Sequence, residues 1–305
     1  MGVRFPPRAF YFSRTVSAAS KDSPTAILLV SCPDQPGIVS TISTYLFENK
    51  GNIVDIDQHV DQEAGAFFMR VEWEIDSFGI PRDEIGAAIE PFAEKFQMDW
   101  ELYFTDIVPR VALFVTKENH CFYDLLSRHE SGELRMEIPL IVSNRENLQP
   151  VAKRFNIPFH HIPITSETKA IREQEEIDLL RENGIDLVVL ARYMQILSPK
   201  MTEAFPNQII NIHHSFLPAF PGARPYHSAY KRGVKLVGAT SHYVTEDLDE
   251  GPIIAQGVTE VSHRDSVHDF IRKGRALEQT VLSRAVWLHL KRRTLVHENR
   301  TIVFS

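Results

Sequence analysis

The segment QIINIHHSFLPAFPG, residues 208–222, decides how this chain is read. Its first half alternates as a buried strand does. Its second half is a Pro/Gly loop with no period. Side chains alternate across a strand, so Asn211 and His213 share one face and Ile212 and His214 the other. An amide and an imidazole thus stand side by side where an apolar strand ends. Just upstream, DLVVLA (186–191) is apolar throughout, as are VALFVT (111–116) and PLIVSN (139–144). Short strands without alternation are buried on both faces. Helical patterns over 121–134, 145–155 and 167–183 separate them. Alternating strands and helices predict a doubly wound, mostly parallel sheet whose ligand crevice lies at the strands' carboxyl ends. Downstream, KLVGATSHYVT and GPIIAQGVTEV add strands, a long helix is expected from about 265 to 293, and TLVHENRTIVF closes as a hairpin turning at His297–Arg300.

The residues before this unit have another order. TAILLVSCP (25–33) reads as a strand. In the helix that follows, Ile38, Ile42 and Leu46 recur every four residues until Gly51. NIVDIDQHVD and AFFMRVEWEID are strands. PRDEIGAAIEPFAEKFQ is a second helix with Pro81 near its start, and MDWELYFTD is a last strand. This β-α-β-β-α-β order is the ferredoxin-like plan. The expected division is therefore a tail at 1–22, a small domain at 23–106 and a larger one at 107–305.

Bulk composition narrows the partners. The chain has 305 residues, 43% hydrophobic and 24% charged, with net charge -7. Nucleic acid is not favoured as a partner at that charge. No apolar run approaches the roughly 20 residues of a membrane span. Two cysteines, Cys32 and Cys121, carry no pairing or CxxC pattern, which fits a reducing compartment. Residues 1–22 hold Arg4, Arg8 and Arg14 but no acid before Asp22. That composition predicts a mitochondrial presequence cut near 15–22, with a chloroplast address or a plain disordered tail as competitors.

Asn211 and His213 would suit an oxyanion, because both can donate to one developing negative oxygen. They would equally serve as a turn-capping amide and a strand-end histidine bonded to a carbonyl. Asp249, between two strands and before Gly251-Pro252, could orient His213 and help take a proton. It could also be one acid of a solvated turn with Glu246, Asp247 and Glu250. In ARYMQILSPKM (191–201), apolar residues at a strand's carboxyl end would form a flat slot, or a loop tucked into the core. The pairs His160-His161 and His213-His214 raise zinc. Adjacent strand histidines face opposite ways, and no HExxH accompanies them, so no metal is expected.

Taken together, NIHHSFLPAFPG, TSHYV with LDEGPI, and YMQILS resemble the folate-dependent formyltransferase family over roughly residues 110–290. The resemblance implies a catalytic set of Asn211, His213 and Asp249. It also implies folate binding by Met194, Gln195, Ile196 and Leu197, with His242 and Val244 on the pterin's other wall. One departure bears on the acceptor. Glycinamide ribonucleotide formyltransferases have a Gly/Ser/Asn-rich phosphate cradle at the first strand–helix turn, whereas FVTKENHCFYDLL (114–126) has no glycine there. ILLVSCPDQPGIVSTISTYLFENKGNIVDIDQHVD (27–61) resembles an ACT domain. ACT plus formyltransferase-like domain, with VTKENHCFYDLLSR, IVSNRENLQPVA and FNIPFHHIPI, resembles the formyltetrahydrofolate deformylase family across about 24–304.

This implies hydrolysis of 10-formyltetrahydrofolate to tetrahydrofolate and formate, serving the folate one-carbon pool, with no cofactor. Lys117, His160 and His161 are candidates for the acceptor side, where water replaces an amine. The ACT resemblance implies an amino-acid effector near Asp34 and Gly37, Asn52 on a subunit edge, and a homo-oligomer. The rivals are formyl transfer to some other amine and a folate- or amino-acid-sensing protein without turnover.

Overall fold

The computed structural model describes residues 23–218 and 225–305. The expected presequence, and residues 219–224 of the Pro/Gly loop, lie outside them. The chain forms two compact units, one ending at Val108 together with Phe304–Ser305, the other Pro109–Val303.

The first unit runs β1 (Thr25–Pro33), α1 (Ile38–Glu48), β2 (Ile53–Asp61), β3 (Ala66–Glu74), α2 (Ile85–Phe96) and β4 (Asp99–Phe104). The sheet order β2-β3-β1-β4 is antiparallel throughout, the ferredoxin-like arrangement. Ile38, Ile42 and Leu46 of α1 are buried, joining Leu28, Met69 and Trp73 from the sheet in one core. Pro81 sits in a turn before α2, its carbonyl accepting from the Glu84 N–H, so that helix starts four residues later than the sequence pattern predicted.

The second unit continues with β5 (Arg110–Val115), α3 (His120–Glu130), β6 (Glu137–Ser143), α4 (Gln149–Arg154), β7 (Phe159–His161), α5 (Lys169–Glu182), β8 (Leu187–Leu190), α6 (Pro199–Ala204) and β9 (Ile209–His213). There follow α7 (Pro225–Arg232), β10 (Leu236–Tyr243), β11 (Ile253–Glu260), α8 (Val267–Leu290) and the hairpin β12 (Thr294–His297) and β13 (Arg300–Val303). The seven-stranded sheet has the order β11-β10-β9-β8-β5-β6-β7. Its strands from β9 to β7 are parallel, while β10 and β11 add antiparallel pairs.

The chain winds outward from β5 to β6 and β7, then returns to place β8 and β9 on the other side. That reversal opens a crevice at the carboxyl ends of β5 and β8. Both faces are covered: Leu113, Val189 and Ile210 face α3 and α8 residues such as Leu125 and Leu282, while Phe114, Val188 and Ile209 face Ile177, Leu180 and Met201. Helix α7 was not predicted from the sequence. Its Tyr226 and Ala229 pack with Phe270 of α8.

Candidate active site

Strand β9 ends beside β10, and their antiparallel register sets His242 opposite Asn211 and Thr240 opposite His213. Directly paired residues share a face of the sheet. Asn211, His213 and His242 therefore project together, although 31 residues separate Asn211 from His242. Ser241 Oγ donates to the Asn211 carbonyl at 2.9 Å and ties the two strands at this level.

Asp249 reaches the same place from the loop between β10 and β11. Its backbone is left-handed, with φ of 59°. Two residues on, Gly251 lies so close to β10 that a Cβ there would stand 1.9 Å from the Tyr243 carbonyl oxygen. Only glycine permits that approach, and it draws the loop in far enough for Asp249 Oδ2 to lie 3.1 Å from His213 Nδ1.

The contacts fix the protonation pattern. His242 Nδ1 lies 2.8 Å from the Tyr243 carbonyl, which can only accept, so this nitrogen carries the proton. His242 Nε2 is then an acceptor for the Asn211 amide, 3.2 Å away. This orients the Asn211 NH₂ and leaves its second N–H for another partner. Asp249 Oδ1 is 3.6 Å from His242 Nε2, beyond hydrogen-bond range. The hydrogen bond from His213 holds the Asp249 carboxyl well below the usual carboxylate range. With an ionised carboxylate at its Nδ1, His213 presents Nε2 outward. That atom is buried and has no hydrogen-bond partner among the described residues.

The segment after β8 forms the neighbouring wall. Its start is anchored by buried Tyr193, edge-on to Phe114 with ring centres 5.2 Å apart. Met194 and Ile196 are 50% and 58% exposed, Gln195 is half-buried and Leu197 buried. Two large apolar side chains stand out from a loop whose ends are fixed in the core. Val244, at the end of β10, packs against the cluster holding Tyr193 and Leu197. Asn211 pairs with Leu190, the last residue of β8, so the apolar loop and the polar group are neighbours.

Other candidate residues are not brought to this point. Lys117 is exposed after β5, two strands from β9 and about 10 Å away by strand spacing. His160 and His161 are on the edge strand β7, four strands or about 19 Å from β9, and His161 Nδ1 pairs with Glu146 at 3.2 Å. That distance removes both histidines from the acceptor role, since they cannot touch an atom held by Asn211 and His213. Asp34, Gly37 and Asn52 belong to the first unit. Gly37 precedes α1 with φ of 101°, Asp34 N–H donates to the Gly65 carbonyl, and Asn52 donates to Glu74 at 2.9 Å.

The structure also presents residues the sequence reading did not single out. Glu278 of α8 is 1% exposed; it accepts from Tyr226 Oη at 2.6 Å, contacts His120 Nε2 at 2.8 Å and lies 3.5 Å from Arg192 Nε. With His120 and Cys121 it makes a compact group whose ligand atoms all lie within 4.8 Å of one another. Glu173 and Glu176 of α5 are buried beneath the apolar loop. Their signal was available: they share a helix face with Ile177 and Leu180, where an apolar residue would be expected.

Comparisons with known proteins identify the family. Residues 109–286 match the formyl transferase family model and residues 26–77 the ACT domain model. A formyltetrahydrofolate deformylase from Synechocystis is 57% identical over 281 residues, 92% of this chain and 99% of that one. One from Bacillus subtilis is 50% identical over 91% of this chain and 93% of its own length. The crystal structure of a formyltetrahydrofolate deformylase from Pseudomonas syringae superposes with a TM-score of 0.91 at 44% identity, covering 93% of this chain and 96% of that chain. All three come from bacteria, whose cells contain neither mitochondrion nor chloroplast. That overturns the organelle address read from residues 1–22.

Proposed function

The chain belongs to the formyltetrahydrofolate deformylases, and from that premise we propose that Asn211, His213 and Asp249 carry the hydrolysis. The enzyme converts 10-formyltetrahydrofolate and water to tetrahydrofolate and formate. The observation that carries the assignment is the 3.1 Å contact of His213 with Asp249, with the opposite ring nitrogen buried and unpartnered.

The formyl group is an amide-like carbonyl on the folate's bridging nitrogen. Water attacks its carbon, and His213 Nε2 takes the water's proton as the new C–O bond forms. Negative charge moves to the carbonyl oxygen, where the second N–H of Asn211 donates to it. Asp249 keeps Nδ1 protonated and stabilises the imidazolium while it lasts. A carboxyl with so low a pKa is a poor proton acceptor. Asp249 therefore orients His213, and its expected share in taking the water's proton passes to the ring. His213 returns the proton to the bridging nitrogen as the C–N bond breaks, leaving tetrahydrofolate and formic acid, which ionises. Every charge that develops is met by a side chain, and chelator-treated protein is expected to keep its turnover.

The loop Met194–Leu197, with Val244 and His242 opposite, is the proposed seat of the pterin. Release of formate from 10-formyltetrahydrofolate by the purified protein, lost in His213→Ala, tests the assignment. Faster transfer of formyl to an added amine than to water would favour the formyltransferase rival. The glycine-free turn after β5 speaks for water.

For the first unit, the reading is control by a small amino acid at the start of α1, near Asp34 and Gly37. The first turn of α1 has no side-chain cap, so its amides are open to a carboxylate. Calorimetry across a panel of amino acids with no heat for any would remove the effector. The edge strand β2 exposes Val54 and Ile56, which supports a homo-oligomer. A sedimentation mass of one chain would exclude it.

A further inference from the structure

Helix α5 presents two buried carboxylates to the loop that follows β8. Glu173 and Glu176 are 3% and 0% exposed. Glu176 Oε1 accepts from the Tyr193 hydroxyl at 2.9 Å. Glu173 Oε1 accepts from the backbone N–H of Ser198 at 2.8 Å. Tyr193 and Ser198 are the residues that flank Met194–Leu197. A third bond, from the Met194 N–H to Thr116 Oγ1 at 3.2 Å, ties the loop's first exposed residue to the end of β5.

Stability alone gives a weak reason for this arrangement. A buried carboxylate is costly unless every oxygen is matched, and apolar residues of similar size generally serve a core better. Here Glu176 Oε2 is buried with no partner among the described residues, and burial pushes its pKa up to about 7. The bonds these acids do make go to the two ends of a loop that extends Met194 and Ile196 away from the core.

We propose that Glu173 and Glu176 are positioning residues that clamp the two ends of the Met194–Leu197 loop and so set the enzyme's affinity for folate. The inference rests on the reading of that loop as the pterin's seat. The carboxylates touch no substrate. They fix the backbone on which Met194 and Ile196 stand, and without them the loop must be ordered at the moment of binding.

Steady-state kinetics on 10-formyltetrahydrofolate, direct tetrahydrofolate binding and thermal melting test this in the full-length protein. Glu173→Ala and Tyr193→Phe should each raise KM and the tetrahydrofolate Kd about tenfold, with kcat within about twofold. Glu173→Gln keeps an acceptor oxygen for the Ser198 N–H and should return KM to within about threefold of the parent. A merely structural role would lower the melting temperature without this split or this rescue. Ile196→Asp separates the two ideas. If it weakens folate binding while Glu173→Ala and Tyr193→Phe do not, the clamp is wrong and the seat stands. If Ile196→Asp also binds folate normally, the seat is wrong and the clamp falls with it. Tyr193→Phe is conservative enough to decide the matter should Glu173→Ala fail to fold.

Discussion

Two histidine pairs end strands of the same sheet, and only one of them is set up for chemistry. His213-His214 closes β9, an interior strand with β8 on one side and β10 on the other. His160-His161 closes β7, a three-residue edge strand. His213 is 6% exposed and held by Asp249; the His161 side chain is 33% exposed and meets Glu146, itself 72% exposed. The dipeptides are identical, but β7 holds both of its histidines while His214 lies past the end of β9, its ring centre 5.1 Å from that of His213. What differs is the neighbour across the ladder. β10 brings His242, and the loop after it brings Asp249, while among the described residues β7 has no strand on its outer side. A histidine in a sheet takes its role from strand position, which the motif does not encode.

The sharpest way to break the comparison is to exchange the losses. His213→Ala should lower kcat by about 10³ or more, removing the acid–base group from the proposed reaction. Asn211→Ala should cost on the order of a hundredfold, the usual loss for one oxyanion donor. Asp249→Asn, which leaves the ring without a charged partner, belongs with His213→Ala at about 10³ or more. Rapid-quench or coupled formate assays would read all three. Full activity in His213→Ala would end the assignment.

Gly251→Ala comes next. Its methyl group would stand 1.9 Å from the Tyr243 carbonyl oxygen, the atom that also fixes the His242 tautomer. The loop must move, taking Asp249 with it. A loss of about tenfold in kcat is expected, with a smaller loss of folate affinity, since His242 and Val244 beside Tyr243 form the other wall of the proposed seat. An unchanged kcat would mean that the 3.1 Å contact does not matter.

The same contact makes a statement about stability. The Asp249 carboxyl has its pKa lowered in the folded protein, so its contribution to stability is full above about pH 4 and is lost as pH falls through the folded value. Asp249→Asn should melt below the parent at pH 7, and the gap should narrow as the solution is acidified below pH 4. A gap that stays constant or widens in acid would show that the carboxylate is not stabilised by its partners.

Much of this was legible before any coordinates. Runs such as DLVVLA betray strands buried on both faces, and the alternation in NIHH places Asn211 and His213 on one side. The partnership of His242 with Asn211 was not legible, because it depends on an antiparallel register between strands whose paired residues lie 31 apart. Nor was Gly251, whose role appears only once the Tyr243 carbonyl is seen against it. Glu173 and Glu176 were half legible: acids on the apolar face of α5 are visible as a pattern, but the bonds that occupy them run to Tyr193 and Ser198 beyond the next strand. Helix α7 was missed because its apolar residues are few and its packing comes from α8.

The smallest expected effect tests the other side of the comparison. His161→Ala removes a contact with Glu146 in which both groups reach solvent, and even a charged surface pair contributes only about 0–1 kcal/mol. His160→Ala removes a half-buried ring from an edge strand. Neither side chain comes within reach of β9, so kcat should stay within about twofold in both variants. The melting temperature of His161→Ala should fall by no more than about 2 °C. The two residues were candidates for the acceptor side from their position in the chain alone, and their His-His sequence repeats that of the active strand. Three intervening strands of sheet make that likeness incidental. A drop of tenfold or more in His161→Ala, with the fold intact, would restore them to the reaction and remove the contrast between the two pairs.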